Sequence, residues 1–231
     1  MACPTFSVVV PVLGEPGINA TLEAIDRIRG DEKIEVIVVD GDPAGGTIAH
    51  IPPHRALCLA APRGRASQMN AGAARAGGEV LVFLHADTRL PAGAFALLRE
   101  AVAAGAAAGA FDLAFDTDAP LLSLIARAGS LRSRLTGMPF GDQTQFFTRE
   151  AFTALGGFAP LPLMEDVDIM RRARRRGLPV TILPAAARTS VRRWREEGLL
   201  RCTTRNWAIF LLYLCGVPPR RLARFYPSRR G

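Results

Sequence analysis

The chain has one lysine, Lys33, three histidines and four cysteines in 231 residues. The cysteines, Cys3, Cys58, Cys202 and Cys215, show no C-x-x-C spacing, which argues against a zinc ribbon or a disulfide framework and leaves them as small core residues. No apolar run reaches the roughly 18 residues that a membrane span requires. The early run Val8 to Leu13 is short and has no basic segment ahead of it, so it does not read as a secretory leader. These absences lead us to expect a cytoplasmic protein. There is also no G-x-x-x-x-G-K-[ST] loop, zinc-finger spacing, RNP-like aromatic run or basic-region heptad, so nucleic acid is not an expected partner. We find no linker or internal repeat, and expect one continuous domain over residues 1–231.

What the chain has in excess is arginine. Formal net charge is +8, and with a single lysine among the 29 basic residues, 28 are arginine. The planar guanidinium suits bidentate contacts to phosphate, whether on a small molecule or an anionic surface. A hydrophobic content of 49% is ample for a core.

The most informative stretch is Val80-Leu81-Val82-Phe83-Leu84-His85-Ala86-Asp87-Thr88. Five apolar residues that end in polar ones read as a strand buried on both faces, delivering its side chains to the carboxyl edge of a parallel sheet, where ligands bind. Phe6 to Val12 and Ile34 to Asp40 read as two more such strands. A helix lies between them, carrying Leu22, Ile25 and Ile28 on one face, with Asn19 as candidate N-cap and Gly30 as stop. Ala56 to Ala60 reads as a weaker third strand. It leads into the basic, glycine-containing loop Pro62-Arg63-Gly64-Arg65 and a helix closing at Gly77-Gly78, a place where an anion is welcome.

Further on, the pattern predicts a helix over 92–104 and a strand over 109–115. An amphipathic helix is predicted from Pro120 to Thr136, with Arg127, Arg132 and Arg134 on its polar side. A polar turn and short strand follow over 141–148, and the last strand is expected over 180–183, ending before Pro184. Between them, Met164-Glu165-Asp166-Val167-Asp168 runs into a stretch of five arginines. Helical spacing groups Asp168 with Arg171, Arg172 and Arg175 on a solvated face, and turns Asp166 inward beside Met170 and Ala173, where a carboxylate needs a partner or a job. The final helical region, Leu199 to Cys215, is apolar nearly all round over Trp207 to Leu214. That length cannot span a bilayer, and packing on the domain, on a second subunit or against a membrane surface are its alternatives.

Together these motifs resemble the family 2 glycosyltransferases, and within them the small bacterial subgroup of radical-SAM/selenodomain-associated transferases. The likeness rests on Ser7 to Val12, Val38-Val39-Asp40-Gly41, Gly64 to Gly72, Phe83 to Thr88, Leu155-Gly156-Gly157-Phe158 with Met164-Glu165-Asp166, and Ser190-Val191-Arg192-Arg193-Trp194. It implies an α/β GT-A fold, a Rossmann-like, mainly parallel sheet flanked by helices with a C-terminal helical region. Residues 1–90 would form the nucleotide-sugar half, 91–194 the acceptor half and 195–231 the helical tail.

The implied activity is metal-dependent, inverting transfer of a sugar from a nucleotide-diphospho-sugar to a hydroxyl acceptor. Pro11, Glu15, Asp40, Arg63, Arg65, Asn70, Ala86 and Asp87 would bind the donor nucleotide. Asp87 and His85 would hold Mn²⁺ or Mg²⁺, although His85 stands where the metal-binding D-x-D pattern has its first aspartate. Asp166, with Glu165, would be catalytic, and Arg193, Trp194, Asp142 and Gln143 would lie near the diphosphate and acceptor. The resemblance leaves the acceptor open, including a lipid-linked one. Two alternatives stand beside this reading: a non-catalytic scaffold, and a nucleotidyltransferase, whose glycine-rich basic signature Leu13-Gly14-Glu15-Pro16-Gly17 lacks.

Overall fold

The computed structural model describes residues 5–226; Cys3 and residues 227–231 of the expected tail lie outside them. The strands are β1 (Phe6–Val12), β2 (Ile34–Asp40), β3 (Leu57–Ala60), β4 (Val80–Phe83), β5 (Thr88–Arg89), β6 (Ala108–Phe115), β7 (Gln145–Thr148) and β8 (Val180–Thr189). The helices are α1 (Ile18–Ile28), α2 (Arg65–Arg75), α3 (Ala94–Ala103), α4 (Pro120–Thr136), α5 (Arg149–Leu155), α6 (Glu165–Arg175), α7 (Arg192–Glu197), α8 (Leu199–Leu214) and α9 (Pro219–Leu222).

One sheet of eight strands runs in the order β3-β2-β1-β4-β7-β6-β8-β5. The first four are parallel, β7 is antiparallel to both β4 and β6, β8 is parallel to β6, and β5 is antiparallel to β8. Burial on both faces explains the unbroken apolar runs of β1, β2 and β4. The period of two sorts them: Phe6, Val8, Val10 and Val12 pack on α1 and α3, while Val9, Ile37 and Val39 pack on α2. Gly72 lets α2 come close, because a Cβ there would lie 2.4 Å from Val9 Cγ1. On that face α5 and α6 add Phe152, Leu155, Ile169 and Met170, and Phe83 meets Phe158 edge-on with ring centroids 4.8 Å apart. Parallel strands feeding one carboxyl edge, with helices on both faces, place the ends of β1, β2 and β4 side by side.

Several expectations are corrected. Asn19 lies inside α1, whose N-cap is Gly17, and its amide instead donates to His50 O at 3.0 Å. Pro184 does not end the last strand. β8 continues to Thr189, and Pro184 falls in an irregularity where Leu183 faces Phe111 and Ala186 faces Asp112, so its missing N–H breaks no ladder bond. Arg132 is not on a polar face but buried, whereas Arg127 and Arg134 are exposed. Of the described cysteines only Cys202 is buried; Cys215 is exposed. α5 has no counterpart among the expected elements. Thr148 caps it, its hydroxyl accepting Ala151 N–H at 3.2 Å, and Gly156 at φ 75° ends it.

Candidate active site

Three loops meet at the carboxyl edge. Gln68 of α2 is buried there and donates to Val12 O at 2.7 Å and to Val39 O at 2.8 Å, tying together the ends of β1 and β2. Asp40 at the end of β2 is fully buried. Its Oδ1 accepts Asp42 N–H at 3.0 Å, and its Oδ2 accepts Thr47 N–H at 2.8 Å and Ile48 N–H at 3.3 Å, so the carboxylate organises the loop that follows. Thr47 in turn presents its hydroxyl to Glu15 N–H at 3.2 Å. Thus Asp40 and Glu15 belong to one structured rim, with Pro11 partly buried beside it.

Beyond β4, a cleft of about 530 Å³ opens, lined by Glu15, Thr21, Ala86, Asp87, Arg89 and Arg192 among others. That volume is ordinary for a small-molecule site. Ala86 O accepts the Thr21 hydroxyl at 2.5 Å, which fixes the turn presenting Asp87, and Arg192 reaches Glu15 at 3.8 Å across the mouth. Arg192 rather than Arg193 therefore faces the cleft. Arg193 lies over the Tyr226 ring at 4.7 Å, and Trp194 packs edge-on against Phe115 at 4.6 Å while donating to the Thr203 hydroxyl. Alternation along a short helix, invisible without knowing which residue anchors it, decides which arginine meets the cleft.

Asp142, Glu165 and Asp166 gather around Gly141. Asp166 Oδ2 accepts Gly141 N–H at 2.7 Å and Oδ1 accepts Val167 N–H at 2.8 Å, each oxygen keeping a second lone pair. A Cβ on Gly141 would lie 2.9 Å from His85 Nε2 and 3.3 Å from Asp166 Oδ2, so the strand-end histidine and the helical aspartate share one small space. Asp166 is half-buried; the inward carboxylate of α6 is its neighbour Glu165, 5% exposed. Burial first, and the Asp166 charge second, push Glu165 up to about 7 against the pull of Arg65. Asp142 is pushed up to about 6 by burial, then by Asp166 and to a lesser degree Asp87, while Arg132 and Arg65 draw it down. Its Oδ1 is buried without a hydrogen-bond partner. Asp142 thus feels both Asp87 and Asp166.

The remaining expected residues brace this arrangement. Asn70 exchanges two hydrogen bonds with the Phe158 backbone, at 2.8 and 2.9 Å. Gln143, fully buried, accepts from Ser133 Oγ at 2.6 Å and donates to Phe111 O at 2.9 Å. Asp168, expected on a solvated face, pairs with Arg172 at 2.8 Å but also accepts the Tyr213 hydroxyl at 3.1 Å, which locks α6 to α8. Arg63 and Arg65 are exposed at the start of α2. Among the described residues, two of the three non-glycine positions with positive φ are Thr144 and Met164, at 52° and 68°, flanking the segments that present Asp142 and Asp166. Local strain of this kind gathers where side chains are held for a purpose.

A divalent cation fits the chemistry of the donors. Among the described residues no three His, Cys, Asp or Glu side chains gather as a metal site. One carboxylate and one imidazole suit an ion that completes its shell with substrate phosphate and water, Mn²⁺ accepting the imidazole more readily than Mg²⁺.

A parallel block, β3-β2-β1-β4, joined through the antiparallel β7 to β6, β8 and β5, with helices on both faces, is the GT-A architecture. Residues 7–158 match the profile of Glycosyl transferase family 2, and the chain belongs to that family. Solved structures agree on the fold. The mannosyltransferase PcManGT from Pyrobaculum calidifontis, in complex with GDP-Man and Mn²⁺, aligns with a TM-score of 0.66 and 22% identity over 97% of this chain and 69% of its own. Glucosyl-3-phosphoglycerate synthase from Mycobacterium tuberculosis, with Mn²⁺, UDP and glucosyl-3-phosphoglycerate, gives 0.62 and 20% over 93% and 81%. S. aureus TarS 1-349 gives 0.62 and 17% over 80% of this chain and 60% of its own. Among curated proteins none matches the chain significantly.

Proposed function

We propose that this family 2 glycosyltransferase transfers a sugar, with inversion, from a nucleoside-diphosphate donor to a hydroxyl acceptor in the cleft between Asp87 and Asp166. The observation that carries the reading is the space shared by His85 and Asp166 at Gly141, because it brings the donor-side strand end to the acceptor-side helix. The donor class follows the GDP- and UDP-containing neighbours of the same fold.

Glu15 and the loop fixed by Asp40 shape the nucleotide pocket, and Arg65 and Arg192 offer positive charge to the diphosphate. Asp87 and His85 would hold Mn²⁺ or Mg²⁺, which when bound offsets the charge that grows on the leaving diphosphate. Asp166, anchored by two backbone amides, takes the proton from the acceptor hydroxyl at a free carboxylate lone pair, help worth about 10²–10⁴ in rate. Glu165 and Asp142 surround it with partly neutral carboxyl groups. Asn70 and Gln143 act as positioning residues.

The test is a panel of UDP- and GDP-sugars scored by thermal stabilisation with and without Mn²⁺, followed by hydrolysis or transfer assays on those that bind. Stabilisation that requires the metal and disappears in Asp87→Ala supports the assignment. A chain that ignores every nucleotide-sugar at millimolar concentration refutes it.

A further inference from the structure

We infer that the outward faces of α4 and α8 form a docking surface for an anionic lipid bilayer. On α4, Leu121, Leu124, Ala128, Leu131 and Leu135 follow one another at spacings of three and four, and all five are exposed, Leu135 to 75%. On α8, Ile209, Phe210 and Tyr213 are buried against Met164 and Val167, whereas Trp207, Leu211, Leu212 and Leu214 remain at the surface. The two helices adjoin at Arg132, whose guanidinium lies 4.8 Å from the centre of the Phe210 ring and 6.0 Å from that of Trp207. Large apolar side chains held at the surface of both elements are more than the single exposed leucines of an ordinary monomer.

Charge identifies the occupant. From Ala119 to Gly141 and from Gly198 to the end of the sequence there is no aspartate or glutamate. Among the described residues the exposed charges on these segments are arginines: Arg127, Arg201, Arg220, Arg221 and Arg224, with Phe225 70% exposed among the last, and Arg134, which pairs with Asp112 at 2.6 Å. Leucines flanked by arginines, with no acid between them, match the interface of an anionic bilayer, where leucine enters the acyl boundary and arginine meets phosphate. The spacing of the α4 stripe would also suit a helix of a second copy, but Arg127 flanks that stripe with no acid on α4 to meet it, and Arg134 is already paired with Asp112 of its own copy at 2.6 Å. Among the described residues no helix is long and apolar enough to cross a membrane, so the contact is with the surface.

The experiment is co-sedimentation of the full chain with vesicles of phosphatidylcholine alone and of phosphatidylcholine mixed with phosphatidylglycerol. It compares the wild type with Leu131→Ser/Leu135→Ser, Leu211→Ser/Leu214→Ser and Arg220→Ser/Arg221→Ser, while gel filtration and far-UV dichroism monitor state and fold. We expect binding only to the anionic vesicles and release at high salt. Each leucine pair should weaken it at least tenfold, and each arginine removed by about fivefold. Equal or no binding to both vesicle types overturns the proposal, as does anionic binding that none of the variants weakens. A dimer that dissociates in the leucine variants, without vesicle binding, assigns the face to a second copy and also overturns it. None of these outcomes depends on sugar transfer.

Discussion

His85 and Asp166, 81 positions apart in the sequence, face one another across a glycine: the Cβ that Gly141 lacks would stand 2.9 Å from the imidazole Nε2 and 3.3 Å from the carboxylate Oδ2. The first prediction follows. Gly141→Ala needs no unusual φ, so the fold should persist, but its methyl pushes the histidine and the aspartate apart. Displacements of this size around reacting groups cost about 10²-fold in rate. We expect kcat to fall by that order with a melting temperature within a few degrees of wild type. A variant with unchanged turnover would show that the two groups do not act together.

Asp87 and Asp166 should separate binding from chemistry. Asp166→Asn keeps an acceptor for Gly141 N–H, so donor affinity should survive while transfer drops by about 10²–10⁴. Asp87→Ala should instead abolish Mn²⁺-dependent nucleotide binding. Calorimetry with UDP or GDP and Mn²⁺, beside a transfer assay, reads both. Loss of nucleotide binding in Asp166→Asn would mean that the aspartate serves the donor.

Much of this frame is legible in the sequence because its strands are buried on both faces. β1, β2 and α4 begin and end where hydrophobic pattern, Pro120 and Asp40 say they should. The α6 carboxylates were harder. Helical spacing turns Asp166 inward, yet Glu165 is the buried one, and the Asp166 carboxylate accepts the N–H groups of Gly141 and Val167 instead of packing among the core side chains. Arg132 also departs from the pattern. Periodicity treats every arginine as surface, whereas this one finds carboxylates on one side and Phe140, 3.6 Å from its guanidinium, on another. The signal for α5 was present, a threonine cap with Glu150 in the first turn and two glycines after Leu155, but a strand ending at Thr148 masked it.

Stability should fall as the medium is made less acidic through the range in which Glu165 ionises. Its carboxyl is raised from 4.5 to about 7 in the folded chain, so below pH 4.5 both states hold the proton and the folded state is not penalised. Between those values the unfolded chain releases its proton first, and stability is lost as pH rises through about 7. Asp142, raised to about 6, adds a slope of the same sign. Glu165→Gln should therefore flatten the dependence of melting temperature on pH and exceed wild type at pH 8. A slope identical in the two proteins would place the titration elsewhere.

Arg132 and Asp142 influence one another through space, without a direct ion pair, and give the last prediction. Burial draws the guanidinium down to about 10 while Asp142 and Asp166 hold it up, and the same arginine lowers Asp142 against burial and the neighbouring carboxylates. Removing one partner strands the other: Arg132→Met leaves Asp142 among like charges, and Asp142→Asn leaves the cation with Asp166 alone. Leaving a buried polar group without compensation in this way costs about 1–3 kcal/mol, and removing both charges should cost less than the sum of the two single changes. Arg132→Met also keeps an apolar stem for Phe140 and Phe210 to pack on. Chemical denaturation of the two single variants and the double variant Arg132→Met/Asp142→Asn should show the double losing less than the two single variants together. Strict additivity would mean that the two side chains are held independently and that Arg132 is retained for its packing against the aromatic rings.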